Sequence, residues 1–398
     1  MRNNRLDNVV AIIGRKNSGK TTLVTEIIRE LRRQDLVVSS LKHHSHDDFD
    51  IDIPGKDSYQ HHLAGTEATA IASATRFAMV EDWRTEGMYA LQQQANTAIS
   101  LLPASNVVIV EGFKQAGLPA IEVFRQDNPR DVEAVPEFRD RMLGLTLGAS
   151  ALPAAVVTDI PDIATSAEIM GIPHFKLYDI SQISAWIEEN FSKPLLSVSI
   201  QAGGESRRMG SSKALIPFHG RPLIEHMVSR FAPIAADLFV TTNEPEELFY
   251  LQGRYPGLRL ITDKHKKRGA LQGFATALEA ARFPSVAVIA CDVVNLSPDL
   301  IEHEAALLEE SQRSSAYIPY DAVVPMGADG FEPFCGVYER DRCMGPTQEC
   351  INLKKVRMRH VLEMLNVCII DPHDNPLCPE GCFENVNTPD DLKRAERY

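Results

Sequence analysis

The sequence predicts an α/β protein of two successive domains, each built on a mainly parallel sheet. Three observations predict it. A glycine-rich loop follows a short apolar run twice. The first is Gly14-Arg15-Lys16-Asn17-Ser18-Gly19-Lys20-Thr21, after Val9-Val10-Ala11-Ile12-Ile13. The second is Ala202-Gly203-Gly204-Glu205-Ser206-Arg207-Arg208-Met209-Gly210, after Leu195-Leu196-Ser197-Val198-Ser199-Ile200. Behind each loop, strand-like and helix-like segments alternate, the pattern of a parallel sheet wrapped by helices. Between the two series, Asn190-Phe191-Ser192-Lys193-Pro194 breaks the alternation, so the expected domains are residues 1–192 and 193–398.

Each element has its own signal. Residues 1–8 read as a polar tail and 9–13 as the first strand. Residues 22–31, TLVTEIIREL, carry apolar side chains at helical spacing, and Val37-Val38-Ser39-Ser40-Leu41 reads as the second strand. Val107-Val108-Ile109-Val110 and Ala154-Ala155-Val156-Val157-Thr158 are short β-branched runs, as buried parallel strands require. An amphipathic helix over 181–189 closes the first half. In the second half, strands are expected at 238–241, 258–262 and 286–290. No internal repeat or low-complexity tract stands out.

Composition narrows the function. A chain of 398 residues with 44% hydrophobic residues can bury a core in each half. The net charge of -13 argues against a general nucleic-acid binder, which needs clustered cations. Lys264-His265-Lys266-Lys267-Arg268 is a local exception. All 7 cysteines lie in the second half and form no C-x-x-C pair, so neither a disulfide framework nor a zinc ribbon is expected. Cys378-x-x-x-Cys382 has residue types that can hold a metal, but reads better as two unpaired thiols near a loop. Without a leader pattern or an apolar run long enough to span a bilayer, the expected setting is the cytoplasm.

Gly14 to Thr21 fits G-x-x-x-x-G-K-[ST] at every position. Gly14, Asn17, Ser18, Gly19, Lys20, Thr21 and Thr22 are the candidate nucleotide contacts. Glycines let backbone N–H groups approach phosphate, Lys20 reaches the outer phosphates, and the Thr21 hydroxyl can ligate Mg²⁺. The following helix start adds a favourable dipole. Glu111, ending the run Val107-Val108-Ile109-Val110, is the candidate acidic partner; Asn at position 106 argues against vigorous hydrolysis. The tract Lys42-His43-His44-Ser45-His46-Asp47-Asp48-Phe49-Asp50 has metal-binding residue types but reads at least as well as a polar loop.

Taken together, the P-loop, Lys42-His43, the stretch Asp52-Ile53-Pro54-Gly55-Lys56-Asp57-Ser58 and Val110-Glu111-Gly112-Phe113-Lys114 resemble the GTP-binding accessory protein of molybdenum cofactor guanylation. The resemblance covers roughly residues 6–190. It implies a P-loop NTPase-like domain that binds GTP.

The second loop is a different device. A Gly pair after a strand can cradle a nucleotide, and Arg208 and Lys213 can neutralise triphosphate charge. Nucleotidyl transfer sets a phosphate nucleophile in line with the α-phosphorus and expels pyrophosphate, so cations and metal dominate. Asp292, at the end of the strand over 286–290, is the expected Mg²⁺ ligand. Lys213, Asp292 and Arg208 form the expected catalytic set.

The string Ala-Gly-Gly-x-x-x-Arg-Met-Gly-x-x-Lys resembles nucleotidyltransferases of the molybdopterin guanylyltransferase type. So do Gly269-Ala270-Leu271-Gln272-Gly273, Cys291-Asp292, Glu332-Pro333-Phe334 and Asn385-Val386-Asn387-Thr388-Pro389-Asp390-Asp391-Leu392. The likeness spans about residues 195–398 and implies a Rossmann-like nucleotidyltransferase domain. It also implies nucleotide contacts at Gln201, Ala202, Gly203, Gly204, Lys213, Asn243, Asp263 and Asp292, and a supporting role for Asn387. Two departures stand out. Gln201 replaces the family's Leu, and Ala290-Cys291-Asp292-Val293-Val294 replaces Pro-Cys-Asp-x-Pro, which can alter the loop holding Asp292.

The expected activity is transfer of GMP from Mg-GTP to molybdenum-bearing molybdopterin, with the first domain binding GTP in an accessory role. The substrates are then GTP and Mo-molybdopterin. Molybdoenzymes or cofactor-insertion proteins are candidate partners, and a homodimer is compatible. Two other readings remain open: a cytidylyltransferase or sugar-phosphate nucleotidyltransferase of the same fold, and a GTP-dependent cofactor carrier without turnover.

Overall fold

The computed structural model describes residues 8–44, 53–81, 90–144, 152–203, 213–262, 269–313, 318–328, 330–373 and 375–397. The chain divides into two compact units, one ending at Ser192 and one beginning at Lys193.

The N-terminal unit runs β1 (Val9–Gly14), α1 (Lys20–Arg33), β2 (Val38–Lys42), α2 (Asp57–Leu63), β3 (Ala68–Ala72), β4 (Phe77–Glu81), α3 (Ala90–Leu101) and β5 (Val107–Glu111). It continues with β6 (Ala120–Phe124), α4 (Pro129–Val132), α5 (Val135–Met142), β7 (Ala155–Thr158), α6 (Pro161–Ile169), β8 (His174–Phe175) and α7 (Ile180–Phe191). Among the described residues the main sheet has the order β2-β5-β1-β6-β7-β8, parallel throughout. The central strand β1 is buried on both faces, which is why its sequence is continuously apolar. Val10 and Ile12 pack with Leu23, Ile27 and Leu31 of α1 and Ile183 and Ile187 of α7. Val9, Ala11 and Ile13 face Ala95 of α3 on the other side. Arg32 and Arg33 in the last turn of α1 favour its dipole.

The antiparallel pair β3–β4 stands apart from this sheet. Its alternation leaves Phe77, Met79 and Ile71 exposed rather than buried. Sequence reading also passed over β6, the inner neighbour of β1, because its one acidic position, Glu122, breaks the apolar run. Glu122 is 1% exposed and is ion-paired to Arg141 and Lys114.

The C-terminal unit runs β9 (Leu196–Gln201), β10 (Pro217–Phe218), β11 (Arg221–Pro222), α8 (Leu223–Phe231), β12 (Asp237–Thr242), α9 (Phe249–Arg254), β13 (Arg259–Thr262), α10 (Ala270–Ala280), β14 (Ser285–Ala290) and α11 (Pro298–Arg313). Then follow β15 (Ala322–Gly327), β16 (Gly330–Phe331), β17 (Cys335–Glu339), α12 (Arg340–Asn352), α13 (Arg359–Leu362), β18 (Val367–Ile370) and α14 (Pro389–Ala395). The sheet order is β13-β12-β9-β14-β17-β15-β16, with β18 on β15. The first four strands are parallel; β17 is antiparallel to both β14 and β15, so this sheet is mixed.

Register at the amino ends is pinned by Asp237, 3% exposed. Its carboxylate accepts from Arg259 Nη2 at 2.6 Å, the Ser197 hydroxyl at 3.1 Å and the Arg282 amide at 3.0 Å. That ties β12 to β9 and β13 and brings their carboxyl ends level. Chain order reverses between β9 and β14, which opens the crevice where ligands of open parallel sheets bind.

Candidate nucleotide and active sites

In the N-terminal unit, the loop after β1 is shaped by backbone that side chains resist. A Cβ on Gly14 would sit 2.7 Å from the Val123 carbonyl oxygen. Asn17 and Gly19 take φ of 73° and 84°, the left-handed region that Asn and Gly tolerate. Such turns present successive N–H groups as an anion seat. Lys20 Nζ donates to the Arg15 carbonyl at 2.6 Å, closing the loop on itself. Burial lowers the Lys20 pKa, opposed by the nearby carboxylates of Glu111 and Asp131. Thr21 donates to Glu111 Oε1 at 2.6 Å, and Lys42 Nζ lies 3.4 Å from the same oxygen. Thr22 is exposed in the first turn of α1.

Parallel pairing of β2 and β5 brings Lys42 beside Glu111. The His43 amide donates to the Glu111 carbonyl at 2.9 Å, and its ring lies 4.2 Å from that of Phe113. Burial, then the neighbouring His44, lowers the His43 pKa. Gly112, at φ 97°, leaves room for this contact: a Cβ there would meet His43 Cβ at 3.1 Å.

Sequence reading missed the residues that brace the loop from behind. Asn128 Nδ2 donates to the Lys16 carbonyl and the Ser18 hydroxyl, each at 3.2 Å. Asn128 is held in turn by Asp131, fully buried, at 2.8 Å. Arg15 pairs with Glu137 at 2.8 Å. These partners lie more than 100 positions away in sequence, and Asn-Pro-x-Asp reads only as a helix start.

In the C-terminal unit, Lys213 is the meeting point. Its Nζ donates to Asp292 Oδ2 at 2.6 Å and to Asn387 Oδ1 at 2.7 Å. Both partners leave the carboxyl side of the sheet: Asp292 follows β14, and the Val386 amide donates to the Asp292 carbonyl at 2.9 Å. Asn387 is fixed by a capping box on α14. The Asp391 carboxylate accepts from the Asn387 and Thr388 amides at 3.1 and 2.8 Å, and the Thr388 hydroxyl accepts from the Asp391 amide. The stretch Asn385 to Leu392 thus has a structural role as well as a place at the site. The Cys291 thiol, beside Asp292, is pushed up to about 12 by burial and by the Asp292 charge, which keeps it protonated.

Ala202 continues β9, its amide donating to the Thr241 carbonyl at 2.9 Å. Asn243 follows β12 on the same edge and is half-buried. Gln201 packs against the first turn of α10, its Oε1 at 3.2 Å from where a Cβ on Gly273 would lie. Its Nε2 and the Oε1 of Gln272 are buried with no partner among the described residues. Gly203 is exposed at the loop's start. Gly204, Arg208 and Asp263 lie outside the described residues, as does the cluster Lys264 to Arg268. Among the described residues no cluster of three His, Cys, Asp or Glu side chains is arranged to hold a metal, and no helix is long and apolar enough to cross a membrane.

Residues 9–143 match the family described as molybdopterin guanine dinucleotide synthesis protein B, and residues 198–368 match the MobA-like NTP transferase domain. A Nostoc protein named "Probable molybdenum cofactor guanylyltransferase" is 32% identical over 199 residues, covering 50% of this chain and 88% of its own. The chain belongs to the molybdenum cofactor guanylyltransferase family. A protein of the same name from Natranaerobius thermophilus is 29% identical over 211 residues, covering 51% of this chain and 96% of its own. The solved structure of molybdopterin-guanine dinucleotide biosynthesis protein A from Archaeoglobus fulgidus is 29% identical, with a TM-score of 0.41, over 50% of this chain and 97% of that one. The transferase match contains Gln201, Lys213, Asn243, Asp263 and Asp292, and ends before Asn387.

Proposed function

We propose that this chain makes molybdopterin guanine dinucleotide. A phosphate oxygen of molybdenum-bearing molybdopterin attacks the α-phosphorus of GTP, the bond to the β-phosphate bridging oxygen breaks, and pyrophosphate leaves. One observation carries the reading most: a carboxylate and an amide oxygen from distant segments clasp a single cation, Lys213 Nζ, at the carboxyl edge of β9 and β14. Hard oxygens converging on positive charge are the donor set Mg²⁺ takes. Asp292 would hold that ion, with Asn387 beside it. Magnesium bound there supplies Lewis-acid polarisation of the α-phosphate. Lys213, released from the carboxylate, and Arg208 neutralise charge on the triphosphate. Gln201, Ala202, Gly203, Gly204, Asn243 and Asp263 hold the nucleoside. The choice of GTP over CTP is supported by the relatives, which are named for guanylyl transfer. Gln201 Nε2 and Gln272 Oε1 leave one donor and one acceptor near Gly273 for a base edge.

The first domain, residues 1–192, binds a second GTP through Gly14, Asn17, Ser18, Gly19, Lys20, Thr21 and Thr22, with Thr21 and Glu111 on its Mg²⁺. Fusion to the transferase, residues 193–398, raises the effective concentration of the two partners. It works in the cytoplasm and passes product to molybdoenzymes or insertion proteins. A homodimer would cover the β3–β4 pair, where Phe77 is 70% exposed.

The test is pyrophosphate release by the purified chain with Mg²⁺, Mo-molybdopterin and each of GTP, CTP, ATP and UTP in turn. Release with GTP alone supports the reading. Release with CTP moves the chain to cytidylyl transfer, and binding of GTP without any release makes it a carrier.

A further inference from the structure

The loop that carries Asp292, residues 290–297, contains no proline, yet it is held at three successive alternate carbonyls. The Asp292 carbonyl accepts from the Val386 amide at 2.9 Å. The Val294 carbonyl accepts from His226 Nε2 at 3.3 Å, and the Leu296 carbonyl from Arg230 Nη2 at 2.9 Å. His226 and Arg230 lie one turn apart on α8, so one helix face grips the loop twice. Proline stiffens a loop by removing backbone freedom. Two side-chain donors from a buried helix restrict the same freedom by another route.

The surroundings of His226 suit a fixed donor rather than a surface residue. It is 8% exposed, with its ring 4.7 Å from that of Phe218 in an edge-on contact. Burial depresses its pKa to about 4, opposed by the bond to Val294 and reinforced by Arg230, Arg221 and His219. The ring is therefore neutral near pH 7, and accepting oxygen at Val294 assigns its one proton to Nε2. Nδ1 is buried with no partner among the described residues, so the Val294 bond is what this nitrogen heterocycle contributes here. Arg230 is also partly buried, with Asp299 as its charge partner.

We infer that His226 and Arg230 are positioning residues that hold the loop of Val293 to Leu296, and through it the carboxylate of Asp292, in place to receive a divalent cation. The inference rests on Asp292 being the metal ligand, as proposed above. Residues that orient a ligand through one intermediate typically govern affinity about 10–100-fold. The geometry of His226 is matched by a glutamine amide, whose Nε2 can reach the same carbonyl, and not by phenylalanine, which keeps only the ring packing.

The experiment uses the full chain in a Thr21→Ala background, so that the divalent site of the P-loop is removed. Mn²⁺ binding is followed by electron paramagnetic resonance and by calorimetry, with unfolding midpoints measured alongside. Asp292→Ala is the control for the ligand. His226→Phe and Arg230→Met are expected to weaken the Mn²⁺ site that Asp292→Ala abolishes by about tenfold each. His226→Gln is expected to keep Mn²⁺ affinity near that of the parent, even where its unfolding midpoint falls. In turnover, His226→Phe lowers kcat while the KM for GTP stays within about twofold, since the loop is not part of the nucleoside seat. Unchanged Mn²⁺ affinity in both His226→Phe and Arg230→Met, with Asp292→Ala binding none, overturns the inference and leaves α8 as core packing. Equal loss in His226→Gln and His226→Phe overturns it too, because then the donor is not what matters. Full Mn²⁺ binding by Asp292→Ala overturns the assignment of the ligand itself.

Discussion

In the N-terminal unit the groups expected around phosphate come from one run, Gly14 to Thr21, with Glu111 and Lys42 added by neighbouring strands. In the C-terminal unit they come from Lys213, Asp292 and Asn387, which only the fold unites. Both sites pair a lysine with oxygen acceptors, but differently. Lys20 bonds its own loop's carbonyl, so its ammonium is kept beside the turn it serves. Lys213 bonds a carboxylate and an amide from two other segments, so it ties the site together. A loop shaped mainly by its own backbone, with Asn128 and Glu137 bracing it from behind, offers its phosphate seat from a single run of chain. A site assembled from three distant segments depends on the whole sheet edge, and suits a reaction in which charge must be placed on a particular phosphorus.

Breaking one site without the other sharpens this contrast. The largest effect is expected for Asp292→Ala, which should lower pyrophosphate release roughly 10³-fold, since charge stabilisation is the main catalytic contribution in such transfers. Equilibrium dialysis should still find GTP on the P-loop of that variant. Lys20→Ala should weaken the P-loop equivalent of GTP by roughly 30-fold, the scale of losing a charge-assisted contact of about 2 kcal/mol; a two-site isotherm that collapses to one checks it.

Asn128→Ala tests the brace behind the P-loop. It removes one of the two hydrogen bonds that the buried Asp131 carboxylate accepts among the described residues, leaving the Arg125 amide at 3.1 Å. Urea unfolding of the N-terminal unit should therefore lose about 1 kcal/mol. GTP affinity should fall less than with Lys20→Ala.

The smallest effect concerns the transferase core. Glu304 is fully buried, with both carboxylate oxygens lacking a partner among the described residues, and burial raises its pKa well above the usual 4.5. Below about pH 4.5 both folded and unfolded states hold the proton, and the chain loses nothing. As pH rises above that value, only the unfolded state releases it, so the folded state loses ground until the raised pKa is passed. Glu304→Gln should flatten this decline and add about 1 kcal/mol at pH 7.5, read by urea unfolding at pH 5 and pH 7.5.

How legible each site was follows the same divide. The P-loop motif is legible because its residues are contiguous, and spacing alone encodes the turn, the lysine and the hydroxyl. Its supports, Asn128, Asp131 and Glu137, are not: a buried Asn looks like any loop Asn until the chain folds it against Ser18. In the second unit, Lys213 is legible as a cation beyond the glycine pair and Asp292 as a carboxylate at a strand end, each strengthened by a family resemblance, but nothing in spacing says that they touch. His226 and Arg230 left no trace at all, since a histidine in an apolar helix reads as core. The antiparallel strand β17 was missed because Cys335-Gly336-Val337-Tyr338 is short and carries a glycine that usually weakens a strand. That glycine is needed where it is: a Cβ there would lie 2.8 Å from the Val323 carbonyl.

The most direct test of the account follows the phosphorus atoms. The chain is incubated with Mg²⁺, Mo-molybdopterin and GTP labelled with ³²P at either the α or the γ position, as the parent, as Asp292→Ala and as Lys20→Ala. The account predicts that the α label moves into a molybdopterin dinucleotide while the γ label leaves in pyrophosphate, and that Asp292→Ala stops both. An α label that stays in guanosine nucleotides while the γ label appears as inorganic phosphate, lost in Lys20→Ala and kept in Asp292→Ala, would contradict it: the P-loop would then be hydrolysing GTP, and the second site would not be transferring it.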